Sequence, residues 1–249
     1  LVCGRGLSRG CLCLQCRPTG LTSGPERRCE RCFAAAQELD ACARCQGCRL
    51  FPSVFDRIRY LWGYEGRARD LITAMKYRPS RALCALIAAA LAAESTALFP
   101  CPEWDMIVPM PSSRQSMRRR CFNQCLILAR EIHRRLGRRS SVRLDSSALC
   151  HLGYRCAQAS LSHDQRISNV RLAFQADPRR VCQRRILLVE DVITTGATST
   201  AAAIALLHAG ANLILVGRTL DRLEASADEI FLSLKQQGGH LAYDSDPAA

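Results

Sequence analysis

The segment that most constrains the fold is 184–217, where two apolar strand patterns flank a loop and an alanine-rich helix pattern. Residues 186–189 are apolar at every position, which is typical of a parallel strand covered on both faces. The pattern predicts a helix over 197–209, ended by Gly210, and a second strand over 212–217. Strand, loop, helix and strand in this order form a βαβ unit. The sequence therefore predicts an α/β fold with a parallel sheet.

Two acids and a threonine-rich loop stand at the junction between the first strand and the helix. Glu190 and Asp191 directly follow the strand. The next residues lie where ligands bind in α/β sheets, and free backbone N–H groups at the start of a helix bind phosphate. Gly196 permits a positive φ, and threonine hydroxyls add donors. We expect a phosphate cradle made of Thr194, Thr195, Gly196, Ala197 and Thr198.

The acid pair narrows the class of ligand. Carboxylates repel phosphate, but they accept hydrogen bonds from sugar hydroxyls. A ligand with a phosphate in the cradle, and with vicinal hydroxyls hydrogen-bonded to Glu190 and Asp191, would be a ribose 5-phosphate. The alternative, that the acids only cap the helix, needs one acid and leaves the cradle unexplained. The loop lacks the lysine of a P-loop and the G-x-G-x-x-G spacing, so it disfavours a nucleoside triphosphatase and a dinucleotide-binding fold.

Cysteine pairs dominate the first fifty residues of a chain that contains sixteen cysteines. Two pairs have the two-residue gap of a zinc knuckle, and twelve residues separate one pair from the other. Four thiolates so arranged bind one tetrahedral zinc. This partition gives the predicted ligands Cys13, Cys16, Cys29 and Cys32.

A second partition of the cysteines stays open. The CARCQGC run at 42–48 offers Cys42 with Cys45, or Cys45 with Cys48, as a partner for the 29–32 pair. The segment has few large apolar residues, so it needs a metal in order to fold. The first fifty or so residues therefore form a separate zinc-binding unit under either partition.

From Phe55 onward the patterning becomes that of an ordinary α/β domain. The polar tail beyond 235 is expected to be frayed. The predicted elements are a strand in 56–66, helices over 66–77 and 81–93, a strand in 104–111, a helix over 121–137, a short strand near 142–144 and an irregular stretch over 146–170.

The net charge of +13 comes almost wholly from arginine. Two interpretations stay open: a surface that attracts polyanions such as nucleic acid, or an arginine-rich composition without functional meaning. The sequence contains no apolar run near the roughly 20 residues that span a bilayer. The start of the chain lacks the apolar core and cleavage site of a secretion signal, so we expect a cytoplasmic protein.

The apolar strand, the acid pair and TTGAT together resemble the motif that binds phosphoribosyl pyrophosphate (PRPP) in type I phosphoribosyltransferases. Further segments resemble the ComF family of competence-associated proteins: the cysteine pairs, YEGRARDLITAMKY at 64–77, VPMPSSRQSMRRRCFNQ at 108–124 and QASLSHDQRISNVRLAF at 158–174. The resemblance implies a double zinc ribbon over 1–54, a type I phosphoribosyltransferase-like domain over 55–235 and a disordered tail over 236–249.

The resemblance also implies roles for particular residues. The proline-bounded loop over 109–122 would hold the pyrophosphate of PRPP, with Arg118 and Arg120 as the phosphate contacts. The segment 155–169 would be a flap that closes over the site and carries Arg166 as a further phosphate contact. Cys121 stands where the family has glycine.

The expected function is binding of PRPP with Mg²⁺. If the protein is catalytic, Glu190 and Asp191 hold the ribose while phosphoribosyl passes to an unidentified nitrogen nucleophile. The family's link to DNA uptake and natural competence suggests single-stranded DNA or competence proteins as partners. The alternative is a non-catalytic PRPP sensor, or a module that binds single-stranded DNA or protein.

Overall fold

A computed structural model describes residues 27–33, 36–50, 54–63, 66–77, 82–85, 87–89, 104–136, 141–153, 173–193 and 197–220. The helices with defined bounds are α1 (Gln46–Leu50), α2 (Gly66–Tyr77), α3 (Arg114–Arg120), α4 (Gln124–Leu136), α5 (Pro178–Val181) and α6 (Ala197–His208). The strands are β1 (Ile58–Gly63), β2 (Met106–Pro109), β3 (Arg143–Leu144), β4 (Leu149–His151), β5 (Phe174–Ala176), β6 (Arg185–Glu190) and β7 (Asn212–Leu220). Further helical residues occupy 82–85 and 87–89.

Five of these strands form one parallel sheet in the order β1-β7-β6-β2-β3. The central strand β6 is covered on both faces, as its apolar pattern predicts. Ile186 and Leu188 lie in one buried cluster, while Leu187 and Val189 lie in the other. The predicted α/β fold with a parallel sheet is confirmed. Because the strands are parallel, all their carboxyl ends meet at one edge of the sheet.

Helix α6 connects β6 to β7 and completes the predicted βαβ unit. It begins at Ala197 and ends at His208, one residue short of the predicted end. Gly210 has a φ of +83°, a value that glycine adopts without strain. A side chain there would also meet the Sγ of Cys182, 3.1 Å from the added Cβ. The predicted role of Gly210 as the stop of this helix is confirmed.

The prediction of a loop over 109–122 is wrong for residues 114–120, which form helix α3. None of the seven residues of α3 is buried, so the helix has no apolar stripe to reveal it in the sequence. The following helix begins at Gln124 rather than 121. Cys121 has a φ of +60° and separates the two helices.

A second, smaller sheet corrects another prediction. β4 and β5 pair antiparallel, and β4 falls inside the stretch predicted to be irregular. Each strand has three residues, too few to show an alternating pattern. Residues 155–169, with the predicted flap, and 236–249, the predicted tail, lie outside the described residues. Within the described part of the chain, no helix has the length and apolarity needed to cross a membrane.

Candidate functional site

The carboxyl edge of the sheet brings the acid pair close to the end of β2. Pro109 on β2 pairs in register with Val189, the residue before Glu190 on β6. The chain leaving β2 stays beside β6, because the backbone N–H of Met110 donates to the carbonyl of Val189 over 2.9 Å. The loop after β2 therefore begins next to the predicted ribose-binding acids.

Met110 also holds the far end of this loop. Its carbonyl accepts a hydrogen bond from Asn123 Nδ2 at 2.9 Å. Asn123 in turn caps α4, with its Oδ1 accepting from the backbone N–H of Cys125 at 2.9 Å. The entry and exit of the segment that contains α3 thus meet at one residue of the carboxyl edge.

Helix α3 presents arginines from this anchored segment. Ser113 caps its start and accepts from the backbone N–H of Ser116 at 3.2 Å. Arg118 is exposed and Arg120 is half-buried. In the described part of the chain, neither guanidinium forms an ion pair. Both predicted phosphate contacts therefore remain available to an anionic ligand.

Glu190 is buried beneath the start of α6 rather than open to solvent. Only 6% of its surface is exposed. Its Oε2 accepts a hydrogen bond from the hydroxyl of Ser199, which is itself 1% exposed. This contact joins the end of β6 to the first turn of α6.

Asp191 differs from its neighbour in exposure. It is half-buried, and its Oδ1 accepts from the backbone N–H of Val192 at 3.0 Å. Glu190 is thus enclosed, whereas Asp191 is half-buried as a residue and its Oδ2 is a buried atom.

Of the predicted phosphate cradle, the structure describes only the helical end. Ala197 opens α6, and Thr198 in its first turn is half-buried. The first backbone N–H groups of a helix have no partner within it, and the positive end of the helix dipole lies at this start. Thr194, Thr195 and Gly196 lie outside the described residues, and so does Arg166.

A second candidate site is a cluster of four cysteines on the segment before β1. The Sγ atoms of Cys29, Cys32, Cys45 and Cys48 all lie within 4.8 Å of one another. The 29–32 pair thus meets the 45–48 pair, which is the second partition left open by the sequence. Cys13 and Cys16 lie outside the described residues, and Cys42 is exposed and not part of the cluster.

The geometry of this cluster fits a structural zinc ion. A tetrahedron with Zn–S bonds of about 2.3 Å has sulfur–sulfur edges of about 3.8 Å, and Cys32 and Cys45 lie 3.7 Å apart at sulfur. The backbone N–H of Cys45 approaches Cys29 Sγ at 3.3 Å, as a donor to a metal-bound thiolate would. The pKa of Cys48 is raised by its contact with Cys32, by burial and by the neighbouring sulfurs. A cation in the cluster would reverse that effect by stabilising the thiolates.

The cysteine knuckle, which is the 29–32 pair with the residues between and directly beside them, is attached to the edge strand β1 through a buried arginine. The Arg59 guanidinium, on β1, donates to the Glu30 carbonyl at 2.7 Å and to Glu30 Oε2 at 2.8 Å. Its carbon atom Cζ lies 5.1 Å from the ring centre of Phe33, the residue after Cys32. Burial lowers the pKa of Arg59, while Glu30 opposes that effect. The backbone N–H of Ile58 also donates to the Arg31 carbonyl, at 2.6 Å.

Sequence reasoning missed two residues of these sites, Ser199 and Arg59. A serine within the first turn of an alanine-rich helix gives a weak signal, because helix starts favour serine for capping alone. An arginine that alternates with apolar residues on a strand is predicted to face solvent. Their roles depend on partners nine and twenty-nine residues away in the sequence.

No protein-family model matches the chain, and no curated protein matches it. Solved structures similar to part of it include the glutamine PRPP amidotransferase of B. subtilis, with 19% identity over 53% of this chain and 25% of that one at a TM-score of 0.36. Others are adenine phosphoribosyltransferase from Saccharomyces cerevisiae (17% identity, 58% and 72% coverage, TM-score 0.37) and orotate phosphoribosyltransferase from Mycobacterium tuberculosis (15%, 64% and 73%, TM-score 0.35). The matched part is about a quarter of the length of the amidotransferase chain, and the same share of a chain described as the allosteric regulatory enzyme of purine biosynthesis.

Proposed function

We propose that this protein binds PRPP at the carboxyl edge of its parallel sheet. The observation that carries the proposal is the double attachment of Met110, which holds the arginine-bearing segment beside β6. An acid pair, a helix start and unpaired arginines then share one edge. Those groups match a sugar with hydroxyls, a 5-phosphate and a pyrophosphate.

The proposed reaction is displacement at C1 of the ribose. As pyrophosphate departs, positive charge develops on C1 and the ring oxygen, and the carboxylates beside the ribose stabilise it. The start of α6 fixes the 5-phosphate, while Arg118 and Arg120 bind the leaving pyrophosphate. Most of the rate enhancement comes from positioning, because the bond to pyrophosphate is already activated. The acceptor belongs to the class of nitrogen nucleophiles.

Two metals accompany this proposal. Mg²⁺ prefers one or two carboxylates together with phosphate oxygens, and the half-buried carboxylate of Asp191 suits that role. When bound, Mg²⁺ would neutralise charge on the pyrophosphate. Zn²⁺ would be structural, because four thiolates close its coordination shell and leave no position for a substrate. The four-cysteine cluster and the parallel sheet in one chain favour the resemblance to ComF proteins, and with that resemblance we propose a role in DNA uptake.

Calorimetric titration with PRPP and Mg²⁺ tests the binding. We expect heat from the wild-type protein and a loss of affinity of about tenfold or more for Asp191→Ala. Asp70→Ala on α2 is the matched control and should titrate like wild type. No heat from the wild type, or equal affinity for Asp191→Ala, would contradict the proposal. Release of pyrophosphate across a panel of nucleobases and amines then separates an enzyme from a PRPP sensor.

A second candidate function, binding of single-stranded DNA, is favoured by the surface of α3. Arg114, Arg118 and Arg119 are exposed on it, together with Met117, of which 39% is exposed. Arginines and an apolar side chain on one short helix suit phosphates and an unstacked base. Affinity for single-stranded DNA should fall steeply with added salt. Absence of binding at low salt would remove this candidate.

A further inference from the structure

We propose that the amino edge of the parallel sheet, where its strands begin, binds the phosphate backbone of a nucleic-acid duplex. This edge lies opposite the candidate PRPP site. Arg185 opens β6 and Glu190 closes it, and at the rise of a parallel strand the two are about 17 Å apart. The inference concerns a second surface and does not rest on the proposed function. It also differs from single-strand binding on α3, which follows the carboxyl end of β2.

A segment rich in arginine forms part of this edge. Residues 178–185, PRRVCQRR, connect β5 to β6 through α5 and contain four arginines and no acid. All of these residues except Val181 are exposed. Arg143 adds a fifth exposed arginine at the start of β3. Its backbone N–H donates to the Asp105 carbonyl at 3.1 Å, and the Asp105 N–H donates to the Arg185 carbonyl at 2.8 Å. Five arginines therefore lie on or beside the start of β6.

Three of these arginines have no ionic partner in the described part of the chain. Arg180 donates to Asp145 at 2.8 Å and to Asp177 at 3.2 Å. Arg185 donates to Asp105 at 2.9 Å. Among the described residues, no ion pair engages the other three guanidiniums, which belong to Arg143, Arg179 and Arg184. The acids at this edge are thus already paired, and three cations are left for a partner.

The backbone holds these arginines in a fixed arrangement although the segment is exposed. The N–H groups of residues 179–185 all donate hydrogen bonds within the protein. Gln183 has a φ of +54° and donates to the Gly210 carbonyl at 2.8 Å, although this conformation is unfavourable for a residue with a side chain. Because the segment is ordered before binding, a ligand does not bear the entropic cost of ordering its backbone.

The lack of exposed apolar side chains decides the class of partner. The core of a protein–protein interface is enriched in aromatic and apolar residues, and proteins that bind single strands stack the bases on aromatic side chains. The exposed residues of 178–185 are arginine, proline, cysteine and glutamine. Among the described residues, the exposed large hydrophobic ones lie elsewhere, Met117 on α3 and Leu152 directly after β4. Arginines alone suit a duplex, which presents closely spaced phosphates on its outside.

Fluorescence anisotropy with a short labelled duplex, repeated over a range of salt concentrations, tests the proposal. Three phosphate contacts at about −0.9 each predict a slope of about −2.7 for the logarithm of affinity against the logarithm of salt concentration. Arg143→Gln, Arg179→Gln and Arg184→Gln should each reduce this slope by about 0.9 and weaken binding about tenfold at low salt. DNA and RNA duplexes of equal length are both titrated, and the tighter one identifies the source of the phosphates.

Arg69→Gln on α2 is the matched control for net charge. Arg69 is exposed, and α2 begins after the carboxyl end of β1. This variant therefore removes one positive charge away from the amino edge and should keep the wild-type slope. Arg184→Lys should also keep the slope, because lysine retains the charge. The substituted side chains are exposed, so all the variants should have the melting temperature of the wild type.

Several results would overturn the proposal. One is the absence of binding to either duplex at low salt. Another is a wild-type slope in the variant that combines Arg143→Gln, Arg179→Gln and Arg184→Gln, or a loss in Arg69→Gln equal to theirs. Displacement of the duplex by polyglutamate at equal charge concentration would instead indicate an acidic protein segment as the partner. Single-stranded DNA that binds as tightly as the duplex, with the same loss in the three variants, would assign the edge to single strands. None of these results depends on whether the protein binds PRPP.

Discussion

Tyr60 and Glu190 lie in one row of the central sheet, each paired in register with Gly217 on the strand between them. The ring of Tyr60 meets the ring of Phe33 edge to face, with centroids 5.6 Å apart. Phe33 directly follows Cys32 of the cysteine cluster. A single row of the sheet thus connects the knuckle at its edge to the buried acid of the candidate site.

Loss of metal from the cysteine cluster should therefore destabilise the sheet and weaken sugar-phosphate binding. Cys48→Ser removes one of the four thiolates. A loss of about 3 kcal/mol would lower the melting temperature of a domain of this size by roughly 10 °C. Calorimetric melting and titration with PRPP measure the two effects, and a zinc chelator should reproduce them in the wild type.

Cys42→Ser provides the matched control for this prediction. Cys42 is exposed and lies on the same segment but outside the cluster. The Cys42→Ser variant should have the melting temperature and the PRPP affinity of the wild-type protein. Equal melting temperatures for the two serine variants would show that the four clustered sulfurs do not hold a stabilising metal.

The attachment of the knuckle to β1 should depend on Arg59. Arg59→Met keeps much of the side-chain volume but removes the hydrogen bonds to Glu30. Hydrogen bonds to charged groups are each worth about 1.5–3 kcal/mol, so we expect a loss of about 2 kcal/mol in urea denaturation. Arg67→Met on α2 is the control, because its ion pair with Asp70 is long, at 3.9 Å, and exposed. A loss no larger than that of the control would show that Arg59 does not attach the knuckle.

Elements with an apolar period were predictable from the sequence. β6 has two buried faces, and the bounds of α2 follow from its spacing of Leu71, Ile72 and Met75. Helix α3 was not predictable in the same way, because none of its residues is buried and its start depends on the Ser113 cap. Local patterns indicate elements that face the core and miss those that face only solvent.

The composition of the sites was less predictable than the fold. Four cysteine pairs, 13–16, 29–32, 42–45 and 45–48, have the same two-residue gap, so spacing alone does not decide which pairs meet. The acid pair was visible as a motif, but the different environments of its members depend on the contact between Glu190 and Ser199. Such contacts follow from the packing of a helix on a sheet, which a linear pattern does not specify.

Replacing Cys121 with glycine should stabilise the protein. Cys121 has a φ of +60° at the end of α3, a conformation that costs most residues about 1 kcal/mol relative to glycine. We expect Cys121→Gly to raise the unfolding free energy by roughly 0.5–1 kcal/mol in urea denaturation. Cys182→Gly is the matched control, since Cys182 also ends a short helix and is exposed, but has a φ of −55°. Cys182→Gly should therefore destabilise the protein. If both variants changed the unfolding free energy in the same direction, the positive φ of Cys121 would not be the cause.

Stability should depend on pH through Asp105. The Arg185 side chain donates to its carboxylate, Nη2 to Oδ1 at 2.9 Å, and the Arg185 backbone N–H adds a second hydrogen bond, so the pKa of Asp105 lies below its ordinary value. Because the folded-state pKa is lowered, the charged carboxylate stabilises the fold at pH values above its unfolded-state pKa of 3.8. This stabilisation is lost as the pH falls through the folded-state pKa.

Asp105→Asn tests this dependence. The pair is partly exposed, so the variant should be less stable than wild type by at most about 1 kcal/mol near neutral pH. The difference should shrink as the pH falls from 3.8 through the lowered pKa of Asp105, because the wild-type carboxylate then gains a proton. Urea denaturation across this range measures it, with Asp70→Asn as a control. A difference that stays constant with pH would contradict the role of the carboxylate charge.

The arginines of α3 should distinguish PRPP from simpler sugar phosphates. Arg118→Ala and Arg120→Ala each remove a cation from the segment that Met110 holds beside the acid strand. We expect each variant to bind PRPP about tenfold more weakly and to lose much less affinity for ribose 5-phosphate, because only PRPP carries the pyrophosphate. Arg130→Ala, an exposed arginine on α4, is the control for overall charge and should affect both ligands slightly and equally. Equal losses for both ligands in the α3 variants would show that these arginines act through the net charge of the protein rather than through the pyrophosphate.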